Sequence, residues 1–383
     1  MSIEWLRRCP HWLLIPAWFG LLCFPFTGVK TAIAISGGIL GAVILWRFLG
    51  NTGVWAVKFG KTITLSRKKQ IRLFEQIKKI PSAAYLYLCL SVALVLPFVT
   101  STYVVDTASL AGIYIILSLG LNIMVGYTGL LNLGFAAFYA IGAYSYALLN
   151  TTLGFGFWGS LPLSMAISAL AGLLVGIPAL RLRGDYLAIV TLGFGEITRI
   201  VLNNWVSVTN GPNGITGIQR PSIMGIEFKG ITEYYYLVLF FVLLTIFLIN
   251  RVINSKAGRA WMSIRDDEIA ASTIGIDTFL YKLYAFTFGA LWAGLAGQLF
   301  AAKMRFVSPE SFTFLESVLI LSMVILGGQG SIAGSIIGAL ILVVLPEILR
   351  EFEQYRMVFL GAGLIFMMIF RPQGLVISRR SKP

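Results

Sequence analysis

The sequence predicts an all-α, polytopic membrane protein with about 10–12 transmembrane or re-entrant helices, glycine-broken segments and one short polar helix between spans. Three observations predict it. Hydrophobic residues make up 57% of the 383 and charged residues 12%, about half the charged share of a soluble domain. Apolar runs of about 17–25 residues, the length that crosses a bilayer, recur along the chain. The basic residues gather at the ends of these runs or in one loop instead of covering a polar surface.

The apolar segments fall near 11–27, 31–49, 84–104, 107–126, 135–150, 159–180, 186–205, 234–251, 280–302, 316–327, 331–346 and 356–370. The first follows Arg7 and Arg8, holds Pro16 and Pro25, and shows no convincing cleavage site, so it reads as a retained helix. Segments 316–327 and 331–346 are too short to span about 30 Å at 1.5 Å per residue. Either they join into one broken or re-entrant element, or their neighbours extend them. Three regions follow: 1–80, an N-terminal extension with two apolar helices and a basic loop; 81–375, the main membrane domain; and 376–383, a basic tail.

Charge gives the orientation. Lys58, Lys61, Arg67, Lys68, Lys69, Arg72, Lys78 and Lys79 share one loop with a single acid, Glu75. With that loop in the cytoplasm, alternation puts Arg181, Arg183, the 251–282 stretch and the tail there too, and leaves the near-neutral loops 206–233 and 347–355 outside. Both termini are then cytoplasmic. The net charge of +14 is accounted for by this bias and by anionic lipid, not by nucleic acid. Cys9, Cys23 and Cys89 match no zinc or redox spacing, and the lone histidine, His11, excludes a histidine-based triad or multi-histidine metal site within the chain. "VWAVKFGKT" (54–62) ends like a phosphate-binding loop but carries Trp55 where the first glycine is required. No cofactor is expected on this chain.

Two stretches look internally related. "IMVGYTGLLNLGFAAFYAIGAY" (123–144) and "MVILGGQGSIAGSIIGAL" (323–340) each pass from apolar residues through a glycine-rich break into small ones. Paired breaks point to a solute path, because unwound backbone inside a membrane is tolerated only where it lines a cavity or is covered by protein. Tyr127, Thr128, Gly129, Asn132, Gly328, Gln329 and Gly330 are the candidates for it, with close helix packing the competing reading. Glu196 and Arg199, three apart in "TLGFGEITRIVLNN", form a candidate intramembrane ion pair or a structural pair near the boundary. In "RLRGDY" the arginines anchor a turn and Asp185 is expected to cap the next helix.

The polar insert is "GRAWMSIRDDEIAASTIGI" (258–276), with Arg259, Arg265, Asp266, Asp267 and Glu268 charged. Helix is expected over 261–273, with Gly275 as its stop and Asp277 capping the next span. Glu268, Ala270, Ala271 and Gly275 fall in the spacing E-x-A-A-x-x-x-G. That spacing resembles the cytoplasmic coupling helix of ABC importer permeases, although a solvated connecting helix would look similar. Together with "IYIILSLGLNIMVGYTGLLNLGFAAFYAIGAY" (113–144), "LRLRGDYLAIVTLGFGEITRI" (180–200), "GPNGI" (211–215), "FVSPESFTF" (306–314), "VILGGQGSIAG" (324–334) and "RPQGL" (371–375), it resembles the branched-chain amino-acid ABC transporter permease family, LivM type, over roughly 107–375.

The resemblance implies a transport subunit and not an enzyme: half of a path for branched-chain amino acids across a bacterial inner membrane. Its implied partners are a homologous LivH-type permease, two ATP-binding cassette subunits that use the ATP, and an extracytoplasmic substrate-binding protein. Arg259, Arg265, Asp266, Asp267, Glu268, Ala270, Ala271 and Gly275 would then dock the ATPase. The competing functions are a urea or short-amide permease of the same family and an ion-coupled secondary transporter.

Overall fold

A computed structural model describes residues 82–182, 184–223, 226–228, 230–348, 361 and 374–376. The apolar segments expected at 11–27, 31–49 and 356–370, the basic loop and Arg183 lie outside them, apart from Gly361. The chain divides into two compact units, Met1–Ser91 and Val92–Pro383; of the first, only residues 82–91 are described, as the start of a helix.

The described helices, labelled α1–α12 here, are Ser82–Val99, Thr102–Asn122, Phe135–Thr151, Phe157–Ala179, Asp185–Asn204, Val206–Thr209, Ile231–Ile253, Lys256–Asp266, Glu268–Thr273, Thr278–Met304, Phe314–Gly327 and Ile332–Ile348. Helix α2 runs on as a π-helical turn, Ile123–Tyr127. Four two-residue strands lie in the connecting loops, β1 (Ile215–Thr216), β2 (Ser222–Ile223), β3 (Ile226–Glu227) and β4 (Phe306–Val307). The chain is an all-α polytopic membrane protein, and α2 with its π turn, α4, α7 and α10 are each long and apolar enough to cross.

Burial sorts these helices into a centre and a rim. The apolar lengths of α2 and α10 are 83% and 78% buried, against 28% for α4 and 39% for α7, whose outer faces are left for lipid or a partner. Lipid gives helices no hydrophobic reason to associate, so close backbone packing and interhelical hydrogen bonds must hold the centre. Both are present. A Cβ added to Gly142 of α3 would fall 2.5 Å from the Gly294 Cα of α10, and one on Gly297 would meet the Tyr139 carbonyl oxygen. Gln298, fully buried, donates to the Phe157 carbonyl oxygen at 2.7 Å and accepts from Ser164. Ser168 donates to the Phe138 carbonyl oxygen at 2.9 Å.

The two short segments form a hairpin. Helices α11 and α12 run antiparallel, with Gly327 against Gly334 and Gly338 against the Met323 carbonyl oxygen. At the bundle end remote from α8, β1 pairs with β4 in the register Ile215↔Val307 and Thr216↔Phe306. There Lys303 is bonded to Asp106 at 2.8 Å, and Asn150 accepts the Gln219 N–H at 2.8 Å.

Candidate functional site

The polar insert folds as two helices instead of the single one expected over 261–273. Helix α8 is amphipathic, burying Gly258, Ala260, Trp261 and Ile264, and the Trp261 indole donates to the Tyr281 carbonyl oxygen at 2.8 Å. The break comes at Asp267, whose extended backbone (φ −156°) stops α8. Its carboxylate accepts the Ile269 and Ala270 N–H groups at 2.8 and 3.0 Å, capping α9. A carboxylate at that position satisfies donors that helix geometry leaves free.

Helix α9 ends as the sequence predicts. The Ile276 N–H reaches the Ala271 carbonyl oxygen at 3.1 Å and the Gly275 N–H reaches Ser272 at 3.1 Å. This double closure requires left-handed backbone between the two bonds, and Gly275 supplies it at φ +88°. Asp277 then accepts the Leu280 N–H at 3.0 Å and starts α10. Asp185, by contrast, does not cap: it is the first residue of α5, after Gly184, where its charge favours the positive end of the helix.

The insert presents two kinds of side chain. Arg259, Asp266, Asp267, Ala270 and Gly275 are exposed, and beside them Ile269 and Ile274 are 70% and 74% exposed. Ala271 is buried, and Glu268 is held at 2.6 Å by Lys282 of α10. Arg265 is exposed as well, but the end of its side chain turns toward the breaks. Its Nη1 donates to the Gly126 carbonyl oxygen, a Cβ on Gly330 would sit 2.7 Å from that nitrogen, and one on Gly129 would sit 3.6 Å from its Cγ. One arginine of the insert therefore touches both glycine breaks.

The breaks also meet each other. Asn122, 1% exposed at the start of the π turn, accepts the Gly330 N–H at 2.9 Å and donates to the Ser331 carbonyl oxygen at 3.3 Å. Gly328 turns the hairpin at φ +117°. The last carbonyls of α11 are closed by the "RPQGL" block: Leu375 N–H bonds Leu326 and Val376 N–H bonds Gly327, both at 3.0 Å. Among the predicted path residues, Tyr127, Thr128, Asn132, Gly328 and Gly330 are buried within this chain, whereas Gly129 and Gln329 are exposed. Thr128 donates to the Met124 carbonyl oxygen.

From the exposed Gly129 to the buried Gly134 the chain is nonhelical. Leu130 N–H bonds the Met124 carbonyl oxygen at 2.9 Å, and side chains answer Leu133 N–H (Thr191, 3.1 Å), Gly134 N–H (Asn132, 2.9 Å) and, in the first turn of α3, Ala136 N–H (Ser317, 2.9 Å). Nonhelical backbone at membrane depth demands such partners. Gly134 is apposed to Gly195 and Thr191 of α5. One turn on, Arg199 Nε and Nη2 both bond Glu196 Oε2, at 3.0 and 2.9 Å, with side chains 35% and 33% exposed. Glu196 borders a cleft walled also by Leu133, Leu192, Phe312, Thr313 and Phe314.

Sequence reasoning passed over Asn122 and Lys282. Both carried a signal, since a polar side chain inside or beside an apolar run needs a partner. Among the described residues no group of three His, Cys, Asp or Glu side chains could hold a metal ion.

The family described as "Branched-chain amino acid transport system / permease component" matches residues 103–368. The chain is 50% identical over 319 residues to the high-affinity branched-chain amino acid transport system permease protein LivM of Salmonella typhimurium, and 49% identical to that of Escherichia coli. Each match covers 77% of this chain and 75% of the relative. It is also 26% identical over 290 residues to the permease protein LivH of Salmonella typhimurium, covering 70% of this chain and 92% of that one. No solved structure matches.

Proposed function

Because this chain belongs to the branched-chain amino acid transport permease family, we propose that it forms half of a solute route and is driven by ATPases on other subunits. It is a permease subunit of a branched-chain amino acid ABC transporter, multi-pass in the inner membrane. Likeness to both LivM and LivH proteins supports pairing with a LivH-type permease, since one ancestral permease that duplicated would leave two similar halves. Two ATP-binding cassette subunits on the cytoplasmic side and an extracytoplasmic binding protein complete the assembly. The basic loop before residue 80 supports cytoplasmic termini, with α8 and α9 on that face.

The observation that carries this reading is Arg265. The exposed surface of α8 and α9, with Asp266, Ala270, Gly275, Ile269 and Ile274, receives the ATPase; small residues allow close approach and the charges set register. Arg265 on the same element grips Gly126 beside Gly330. A push on the insert is thus delivered to both breaks, Tyr127–Asn132 and Gly328–Gly330, which shape the route. A two-state element biased from one end and read at the other is what coupling requires.

Reconstitution tests it. The complete complex in proteoliposomes should accumulate leucine only with ATP and loaded binding protein. Uphill uptake by the isolated chain on an ion gradient, without nucleotide, would overturn the reading.

A further inference from the structure

The geometry points to a substrate station inside the membrane at Glu196: a weak site for the ammonium group of an amino acid whose branched aliphatic side chain lies on the cleft's apolar wall. The inference rests on the importer reading and adds to it a residue that touches the cargo.

Depth is the first ground. With the apolar run 186–205 read as a span, Glu196, the twelfth residue of α5, lies about 16 Å along it, half of a bilayer core of about 30 Å. Direction is the second. Glu196 and Arg199 share α5 with Ile189, Ile197 and Ile200, which are 64%, 62% and 50% exposed. A half-exposed ion pair at mid-membrane is costly against lipid, and such groups face a bundle interior or a watered route. The face of α5 that bears the pair therefore looks onto the passage shared with the second permease.

The chemistry of the wall is the third ground. Both Arg199 bonds converge on Oε2 of Glu196, so Oε1 has no partner among the described residues. Arg199 orients the carboxylate, and Oε1 is free to accept from an ammonium. Around it stand Leu133, Leu192, Phe312 and Phe314, apolar surface of the kind that a leucine or valine side chain covers. In this chain by itself the cleft is a shallow, open depression with room of about 10 Å³, a single water, far less than the roughly 300–1,000 Å³ of complete ligand sites. It is half of a site, closed by the partner permease.

The station is also wired to the drive. Leu133 and Ala136 belong to the nonhelical run and the helix start that follow Gly129, and Leu133 N–H is bonded to Thr191 of α5. Displacing Arg265 pulls on Gly126 and Gly129 and so moves one wall of the cleft against the other. Loading and release then follow the nucleotide state.

Thiol protection tests this in the assembled complex, with Cys9, Cys23 and Cys89 replaced by serine and either Leu192→Cys or Thr313→Cys added on opposite walls. Leucine should slow N-ethylmaleimide labelling of both severalfold. 4-Methylpentanoate, which has the same body without the ammonium, should not, and Glu196→Gln should abolish the protection by leucine. Equal labelling with and without leucine at both positions, in a parent complex that imports leucine, overturns the station and leaves the importer reading intact. Protection that persists in Glu196→Gln overturns the role of Glu196 and with it the proposal. A parent complex without ATP-driven leucine uptake overturns the importer reading itself.

Discussion

The Asn122 side chain accepts the Gly330 N–H at 2.9 Å, tying the π turn that leads into one glycine break to the other break across a separation of 208 residues between the two partners. The same amide donates to the Ser331 carbonyl oxygen. Backbone groups that leave helix inside a membrane have no water to bond, so this residue answers for two of them at once. Asn122→Ala should lower stability by about 1–3 kcal/mol, the usual cost of leaving buried polar groups unpaired. A fall in melting temperature of the detergent-solubilised complex checks it, and Asn122→Asp should restore the acceptor but not the donor.

Arg265→Ala should separate hydrolysis from transport. The exposed docking residues stay in place, so ATPase subunits remain bound and active, while leucine uptake falls about tenfold, as for loss of one charged hydrogen bond. Uptake and phosphate release measured on the same proteoliposomes give the ratio. An unchanged ratio would dissolve the link between insert and breaks.

Asp266 and Asp267 are neighbours with different work. Asp267→Ala removes the cap of α9 and should cost about 1 kcal/mol, visible as faster hydrogen exchange at Ile269 and Ala270, and Asp267→Asn should keep most of the protection. Asp266→Lys should leave exchange alone and weaken ATPase association instead.

Glu268 and Lys282 are joined across two helices at 2.6 Å. Glu268→Lys should impair transport by setting like charges together, and the double exchange Glu268→Lys with Lys282→Glu should recover much of it. A double-mutant cycle on the pair should give a coupling of no more than about 1 kcal/mol.

Bulk at the two breaks should act differently. Gln329→Leu, at an exposed position, should slow uptake without disturbing assembly. Asn132→Leu replaces a fully buried amide that holds the Gly134 N–H and should lower the yield of folded complex, measured by size-exclusion chromatography.

Most of the membrane architecture was legible because apolar length and charge position are written along the chain: the runs expected at 135–150, 186–205 and 280–302 became Phe135–Thr151, Asp185–Asn204 and Thr278–Met304. The Gly275 stop and the Asp277 cap were legible because each is a local bond within a few residues. The break at Asp267 was not, since an aspartate inside a helical pattern is equally a surface residue. Nor was the inward turn of Arg265, because a charged residue's direction depends on acceptors more than a hundred residues away. The π turn at Ile123–Tyr127 left no periodic mark over five residues.

In the seam between α3 and α10, main chain lies against main chain at Gly142, Gly294 and Gly297. A bulky side chain can usually be matched by trimming the one opposite, but a carbonyl offers nothing to trim. Chimeras that exchange α3 with a distant relative while keeping the native α10 should therefore assemble only when the donor also brings glycine at 142. No compensating substitution across that seam can rescue the others.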